Sequence, residues 1–284
     1  MTNNDNTAVT RQPTATNAVI PGATDDRTGS YFLVNGLRLY YEIHGENHTL
    51  NPPIVLLHGG WTTIDITFGA VLPTLATSRR VIAVEQQGHG HTADIDRPMS
   101  FQQMADDTAA LLRHLNVEQA DFFGHSDGGN VGLGIAIRHP ELVRKLIIAG
   151  TNYNNDGFAS GALESIESVG PDDADMERLK AAYLRVAPKP ADWPVMVRKV
   201  IRLAVAFSGW QPDHLTAIKA HTLIMIGDAD VIRPDDAVEL FHLIPYAQLA
   251  VMPGTDHRLP KTRTDWLLLM LADFLNAPVP SATQ

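Results

Sequence analysis

The pentapeptide Gly124-His125-Ser126-Asp127-Gly128 has the residue types and spacing for nucleophilic chemistry. A serine with glycine two residues away on each side suits a sharp strand-to-helix turn, where a Cβ on either flank would collide with neighbouring backbone. The surroundings fit such a turn. Ala120 to Phe123 is apolar except for Asp121 and reads as a strand, while Asn130 to His139 reads as a helical segment rich in small residues. The bend would hold the Ser126 hydroxyl above the sheet edge, at a helix N-terminus whose free N–H groups favour a nearby negative charge. Such a pentapeptide also arises by chance, so the rest of the chain must supply its partners.

A serine nucleophile needs a base to take its proton, and the base needs an acid to hold its tautomer. In an open parallel sheet these groups converge at the carboxyl ends of strands, a criterion that filters the 12 histidines and many acids of the chain. A strand ending at Ile226 opens into Gly227-Asp228-Ala229-Asp230-Val231. Asp228 lies nearest the tight turn and reads as bonding loop backbone, which favours Asp230 as the acid. The strand ending at Met252 opens into Pro253-Gly254-Thr255-Asp256-His257, and His257 is the expected base; Asp256 reads as a solvated loop acid. Ser126, Asp230 and His257 thus fall on separate strand ends in the chain order this chemistry uses. An oxyanion needs backbone N–H donors, one of them on the residue after the nucleophile, Asp127. The second is expected from Gly60, with Trp61 in reserve and also a candidate substrate contact. His58 is expected to brace that loop, and His125 to point away from Ser126 and pack locally. His89, His91 and Asp94 read as solvated or structural, and no metal or cofactor is expected.

Positioning these groups requires a layered fold. Tyr31–Val34 and Leu37–Ile43 around Asn35-Gly36 predict a β-hairpin with a type I′ turn. Ile54–Leu57, Arg80–Val84 and Arg144–Ala149 are short apolar runs of the kind buried on both faces of a sheet. A helical pattern from Asp65 to Thr77 is expected to break or kink at Pro73, and Glu85–Asp96 to be a polar loop. Ser100 caps a helix to Leu115. His221–Ile226, Pro234–His242, Gln248–Met252 and Thr264–Asn276 continue the alternation. Repeated βα units predict an α/β fold: a mostly parallel central sheet with helices on both faces. From Asn152 to Asp213 the alternation stops, in a stretch too long for a simple crossover. It reads as an inserted helical cap with helices near Asp173–Val186 and Pro194–Phe207. The expected organisation is a loose tail over residues 1–30, a core from 31–151 and 214–276, a cap at 152–213, and a second loose tail over 277–284. Tyr153, Phe158, Trp193, Met196, Val197, Val200, Phe207 and Trp210 are the cap's candidates for an apolar pocket wall, shared with its own core.

Composition narrows the partners. The chain has 284 residues, a net charge of −10 and no cysteine. The negative charge argues against nucleic acid and anionic membrane surfaces, which are bound through positive patches. Without cysteine there is no thiolate nucleophile, disulfide or thiolate zinc site. No run of about 18 apolar residues is present, and the first 30 residues lack the apolar core of a secretory signal, so a cytoplasmic location is expected.

Taken in order, His58-Gly59-Gly60-Trp61, Gly124-His125-Ser126-Asp127-Gly128, Gly227-x-x-Asp230 and Gly254-x-x-His257 resemble the motifs of the α/β-hydrolase superfamily, over about Tyr31 to Asn276. One departure is Glu85-Gln86-Gln87-Gly88-His89-Gly90, where the family more usually has Asp-x-Arg-Gly-His-Gly. The resemblance implies a serine hydrolase with an acyl-enzyme intermediate, and an apolar cap suits a small, largely apolar carboxylic ester as substrate. Lactonases, aminopeptidases of the proline-iminopeptidase type, carbon–carbon hydrolases and small-ligand receptors share the scaffold. An aminopeptidase would need an acid for the substrate amine, for which Glu164, Glu167 and Glu177 are on offer in the cap. Dehalogenases and epoxide hydrolases of this fold carry an aspartate where this chain has Ser126.

Overall fold

A computed structural model describes residues 29–279 of the chain. The first strand, β1 (Gly29–Val34), pairs antiparallel with β2 (Leu37–His44). Asn35 and Gly36, at φ 48° and 79°, make the tight turn between them, a backbone only Asn and Gly adopt readily. The strand takes Gly29 and Ser30 from the tail expected over 1–30, and the rest of that tail lies outside the described residues. β3 (Ile54–Leu57) follows, then α1 (Ile64–Phe68), α2 (Leu72–Leu75) and β4 (Val81–Glu85). The single kinked helix expected over 65–77 is two short ones. The break falls at Gly69 to Val71, and Pro73 sits in the first turn of α2, where its missing N–H has no helical partner to lose.

The chain then runs through α3 (Phe101–His114), capped by the Ser100 hydroxyl accepting from Gln103 N–H at 3.1 Å. Next come β5 (Ala120–His125), α4 (Asp127–Arg138) and β6 (Val143–Ala149). Between β6 and the next strand lie α5 (Ala162–Glu167), α6 (Glu177–Val186), α7 (Trp193–Ala206) and α8 (Pro212–Thr216). α5 was not anticipated, and α6 starts later than the expected Asp173, after a 3₁₀ turn at Ala174–Met176. β7 (His221–Gly227), α9 (Pro234–Leu243), β8 (Ala247–Met252), the unanticipated α10 (Leu259–Thr262) and α11 (Thr264–Asn276) complete the order. Among the described residues no helix is long and apolar enough to cross a membrane.

The strands form one sheet in the order β1-β2-β4-β3-β5-β6-β7-β8, with β1, β2 and β4 paired antiparallel and the rest parallel. Alternate residues of each strand enter opposite cores. Leu57, Phe122, Leu146 and Ile224 pack with α3, α4 and α9 residues, whereas Leu56, Phe123, Ile147 and Leu223 pack with α1, α2 and α11. Covering both faces explains why these strands read as unbroken apolar runs. At the far end of β5, buried Asp121 accepts from Arg79 (3.1 Å) and Arg144 (2.7 Å). Lys145 Nζ donates to the carbonyls of Phe274 and Ala277, so the start of the tail expected to be loose over 277–284 is tied down. Residues 280–284 lie outside the described residues.

Strand order reverses between β3 and β5, which opens a crevice at their carboxyl ends, the usual ligand position of an open α/β sheet. The turn from β5 into α4 closes tightly there. A Cβ on Gly124 would strike the backbone of Gly128, and one on Gly128 would strike the carbonyl of Leu57. We therefore expect Gly128→Ala to lower stability by about 3 kcal/mol, at the upper end of what overpacking inflicts. Urea denaturation of the variant beside wild type measures it.

Candidate active site

Ser126 sits on the bend at φ 54° and ψ −123°, a conformation that costs an L-residue energy and persists only where its surroundings enforce it. They do so through the glycine contacts and through Ser126 N–H, which donates to Ala149 O at 2.9 Å. Loops after β7 and β8 bring up the other two groups. His257 Nδ1 lies 2.7 Å from Asp230 Oδ1, and His257 Nε2 lies 3.0 Å from Ser126 Oγ. An ionised carboxylate only accepts, so Nδ1 carries the proton and Nε2 accepts from the serine hydroxyl. The expected Ser126, Asp230 and His257 are thus brought into one hydrogen-bonded chain. Asp228 bonds the neighbouring loop instead, accepting from Thr255 N–H at 3.1 Å. Asp256 is a solvated loop acid that pairs with the exposed Arg258, two residues on.

Burial by itself would lower the His257 pKa, but the hydrogen bond and charge of Asp230, helped by Asp127 and Asp256, outweigh it and raise the pKa above 6.5. His125 stays neutral, held down to about 4 by burial and by the neighbouring His257. It does pack locally, but against the base: its Nε2–H donates to the His257 carbonyl at 2.8 Å.

The loop after β3 is held by two neutral histidines. His58 Nδ1–H donates to Gly59 O (2.8 Å), and its Nε2 accepts from Gln86 N–H (3.1 Å). His89 Nε2 accepts from Trp61 N–H at 3.1 Å, while its Nδ1–H donates to Gln87 O. Burial pushes these imidazoles down to about 3 and about 4, which keeps each with one donor and one acceptor nitrogen. The bond to His89 consumes the Trp61 N–H, which removes Trp61 as a reserve oxyanion donor. Gly60 and Asp127 both line the cavity beside Ser126, and neither N–H has a partner among the described residues.

The stretch expected as a polar loop, Glu85 to Asp96, is largely buried through His89. Glu85 accepts from Ile64 N–H and from His91 Nδ1–H (2.8 Å), and Gln87 bonds Asp94 (2.8 Å) and Arg97. These bonds show what the unusual Glu85-Gln86-Gln87 does: it welds the loops after β3 and β4 together. His91 is engaged by Glu85, and Asp94 is paired with Lys199 at 2.6 Å.

Ser126 and His257 open onto a cavity of about 520 Å³. Of the residues expected to form an apolar wall, Phe158 and Val200 line it, as does Trp61; Tyr153, Trp193, Met196, Val197, Phe207 and Trp210 are buried in the core. Sequence reasoning missed Ile166, Leu179, Val231 and Ile232, which add to the apolar lining together with Ile66, Ala204 and Pro260. It also missed the side chain of Asp127, whose carboxyl faces Gly60 so closely that a Cβ there would meet Oδ2 at 2.5 Å. Burial pushes that carboxyl up to about 6, opposed by the nearby His257. An acid immediately after the nucleophile, at the first position of the elbow helix, was the available signal. Glu164, Glu167 and Glu177 are exposed and do not line the cavity.

Comparison with known proteins agrees with the fold. The model of the alpha/beta hydrolase family matches residues 54–267. A 2-hydroxymuconate semialdehyde hydrolase of Pseudomonas sp. (strain CF600) is 36% identical over 133 residues, 45% of this chain and 46% of that protein. The matches to this and the next two curated relatives span less than half of each relative's length. The serine hydrolase BPHL of Homo sapiens is 26% identical over 260 residues, covering 87% of this chain and 86% of that one. The enol-lactonase from Burkholderia xenovorans LB400 superposes with a TM-score of 0.71 at 23% identity, over 87% of this chain and 100% of that chain, a likeness of fold.

The electrostatics can be tested on the ring itself. The His257 imidazole is expected to titrate above 6.5, because Asp230 and Asp127 favour its charged form. Asp230→Asn removes the leading favourable contribution and should carry the midpoint downward. Histidine NMR titration of both proteins measures the difference; equal midpoints would contradict the assigned pairing.

Proposed function

The chain belongs to the α/β-hydrolase family, and from that premise we propose that it is a serine hydrolase cleaving a small carboxylic ester through an acyl-enzyme intermediate. The observation that carries this reading is the continuous Asp230–His257–Ser126 chain, at 2.7 and 3.0 Å, opening onto a largely apolar cavity. As Ser126 Oγ attacks the ester carbonyl, its proton passes to His257 Nε2, and the buried carboxylate of Asp230 stabilises the imidazolium. The carbonyl oxygen becomes an oxyanion between the N–H groups of Gly60 and Asp127. When the tetrahedral species collapses, the imidazolium returns the proton to the departing alkoxide. Water then attacks the acyl carbonyl as it gives a proton to Nε2, and the second tetrahedral species releases the acid as Nε2 returns that proton to Ser126 Oγ. We read the helical segment 152–213 as a cap, since Ile166, Leu179 and Val200 supply part of the cavity wall.

A second reading concerns the acyl group. The Asp127 carboxyl enters the cavity directly beside the nucleophile, where an uncharged ester gives it no partner. An ammonium group on the carbon next to the carbonyl would pair with it, which favours α-amino-acid esters or amides. The amine acid sought in the cap would then come from the elbow.

Ser126→Ala is expected to lower turnover of p-nitrophenyl acetate and butyrate by at least about 10⁴-fold; undiminished activity would overturn the assignment. For the second reading, kcat/KM for p-nitrophenyl esters of alanine and of propionate is compared in wild type and in Asp127→Asn. A charge-assisted contact predicts roughly a 10- to 100-fold preference for the amino ester, lost in the variant. Equal preference in both proteins leaves Asp127 without a role in selecting substrate.

A further inference from the structure

The entry into the helical insert and the loop that carries Asp230 are paired with each other. Residues 157 to 159 run antiparallel to residues 231 to 233. Arg233 N–H donates to Gly157 O (2.8 Å), Ala159 N–H donates to Val231 O (2.8 Å), and Phe158 and Ile232 form an isolated β-bridge between them. Ile232 is also the residue whose N–H donates to Asp230 Oδ1 at 3.0 Å, on the same oxygen that receives His257 Nδ1–H. The other oxygen of Asp230 is buried without a protein partner. Orientation of the acid therefore depends on Ile232, and Ile232 is seated on the insert.

One core side chain fixes the insert at this point. Asp236, in the first turn of α9, is buried and accepts from Tyr153 N–H at 3.2 Å. Its other oxygen lies against Gly157, leaving no space for a Cβ there. Tyr153 O in turn accepts from Trp210 N–H (2.9 Å), which ties the entry of the insert to its exit. Trp210 Nε1–H donates to Asn130 Oδ1 on the elbow helix at 2.9 Å.

We propose that Asp236 is a positioning residue for the acid–base pair: by clamping Tyr153 and Gly157, it seats the insert against the Asp230 loop and so aligns Asp230 with His257. The inference rests on the acid–base reading of Asp230 and His257. Phe158, Val231 and Ile232 all line the cavity, so a substrate that packs on this bridge presses on the element that orients the acid. The charged and titratable groups around Asp236 are Glu239 on its own helix, Arg233 at the helix start, and Asp156 and Tyr153 from the insert. Around His257 they are Asp230, Asp127, Asp256 and His125. Burial raises Asp236 to about 7, against the pull of the Tyr153 N–H, so the clamp itself changes charge near neutrality.

The test measures kcat, KM and the His257 NMR midpoint in wild type, Asp236→Ala, Asp236→Asn and Asp230→Asn. Asp236→Ala is expected to lower kcat by about 10- to 100-fold, the scale of a misplacement near 1 Å. It should also lower the His257 midpoint by up to about 1 unit, as Asp230 loses alignment. Asp236→Asn keeps an acceptor for Tyr153 N–H and should restore both toward wild type. A folded Asp236→Ala protein with an unmoved midpoint overturns the proposal, even if its activity or stability falls, and so does failure of asparagine to rescue. If Asp236→Ala does not fold, Gly157→Ala, which drives a methyl group into the carboxyl, decides on the same readouts. Asp230→Asn separates the two levels: a midpoint unmoved there refutes the acid–base reading, whereas one that moves only there refutes the clamp alone.

Discussion

A backbone bend with no room for side chains on its flanks is the constraint on which the rest of this site depends. Ser126 holds a positive φ that an L-residue adopts only under duress, and Gly124 and Gly128 are the residues that let strand, helix and the end of β3 close around it. Closure brings the Leu57–Gly60 segment against the elbow, so one bend sets both the height of the nucleophile and its distance from the Gly60 N–H. Strain at the bend is offset by burial in the two cores that cover the sheet, to which Phe122 and Phe123 of the same strand contribute on opposite faces. A well-packed sheet is therefore what makes a half-buried, strained serine possible.

Around the bend, polar groups are arranged so that few buried ones lack a partner, which matters more here than the strength of any one bond. His58 and His89 illustrate the logic. Each is fully enclosed and each imidazole nitrogen is used, one as donor and one as acceptor, which only the neutral ring can do. Glu85 occupies a comparable position by collecting donors from Ile64 and His91. Against that satisfied background the exceptions stand out. The buried Oδ2 of Asp230 and His125 Nδ1 have no protein partner and lie within the site or one residue from it, while Gln86 Oε1, Arg80 Nε, Arg97 Nη1 and Asn155 Oδ1 are the corresponding atoms outside it among the described residues.

Most of the framework was legible because its signals are local. Asn35-Gly36 carries its own turn geometry, apolar runs such as Ile54–Leu57 announce strands covered on both faces, and the last helix occupies Thr264–Asn276 as its pattern predicts. Chain order and strand-end placement were enough to nominate Ser126, Asp230 and His257. What escaped depends on distant partners. Glu85 to His89 look solvated in sequence because the groups that satisfy them, such as His58, Ile64 and Thr108, are contributed by other elements. α5 and α10 are too short to show a helical period. Asp127 was read for its N–H alone, since nothing in the sequence tells whether a side chain at that position turns into the cavity.

Division of labour between core and insert follows from the same physics. Ser126, Asp230 and His257 are carried on or just past strand ends, where bonds such as Gly150 N–H to Met225 O (2.9 Å) tie the loop starts to the sheet. Ile166, Leu179 and Val200, on α5, α6 and α7, reach the cavity from elements that the sheet does not hold, and face Trp61, Val231 and Ile232 from the loops of the core. Such an arrangement lets the insert diverge without disturbing the nucleophile. It leaves one vulnerable seam, because the acid loop borrows a hydrogen-bonded neighbour from the insert at Phe158 and Ile232. On the proposed reading, a change in the insert that shifts this bridge would reach His257 through Asp230 without any altered residue touching the reacting atoms, so substrate selection and catalytic alignment would be physically coupled.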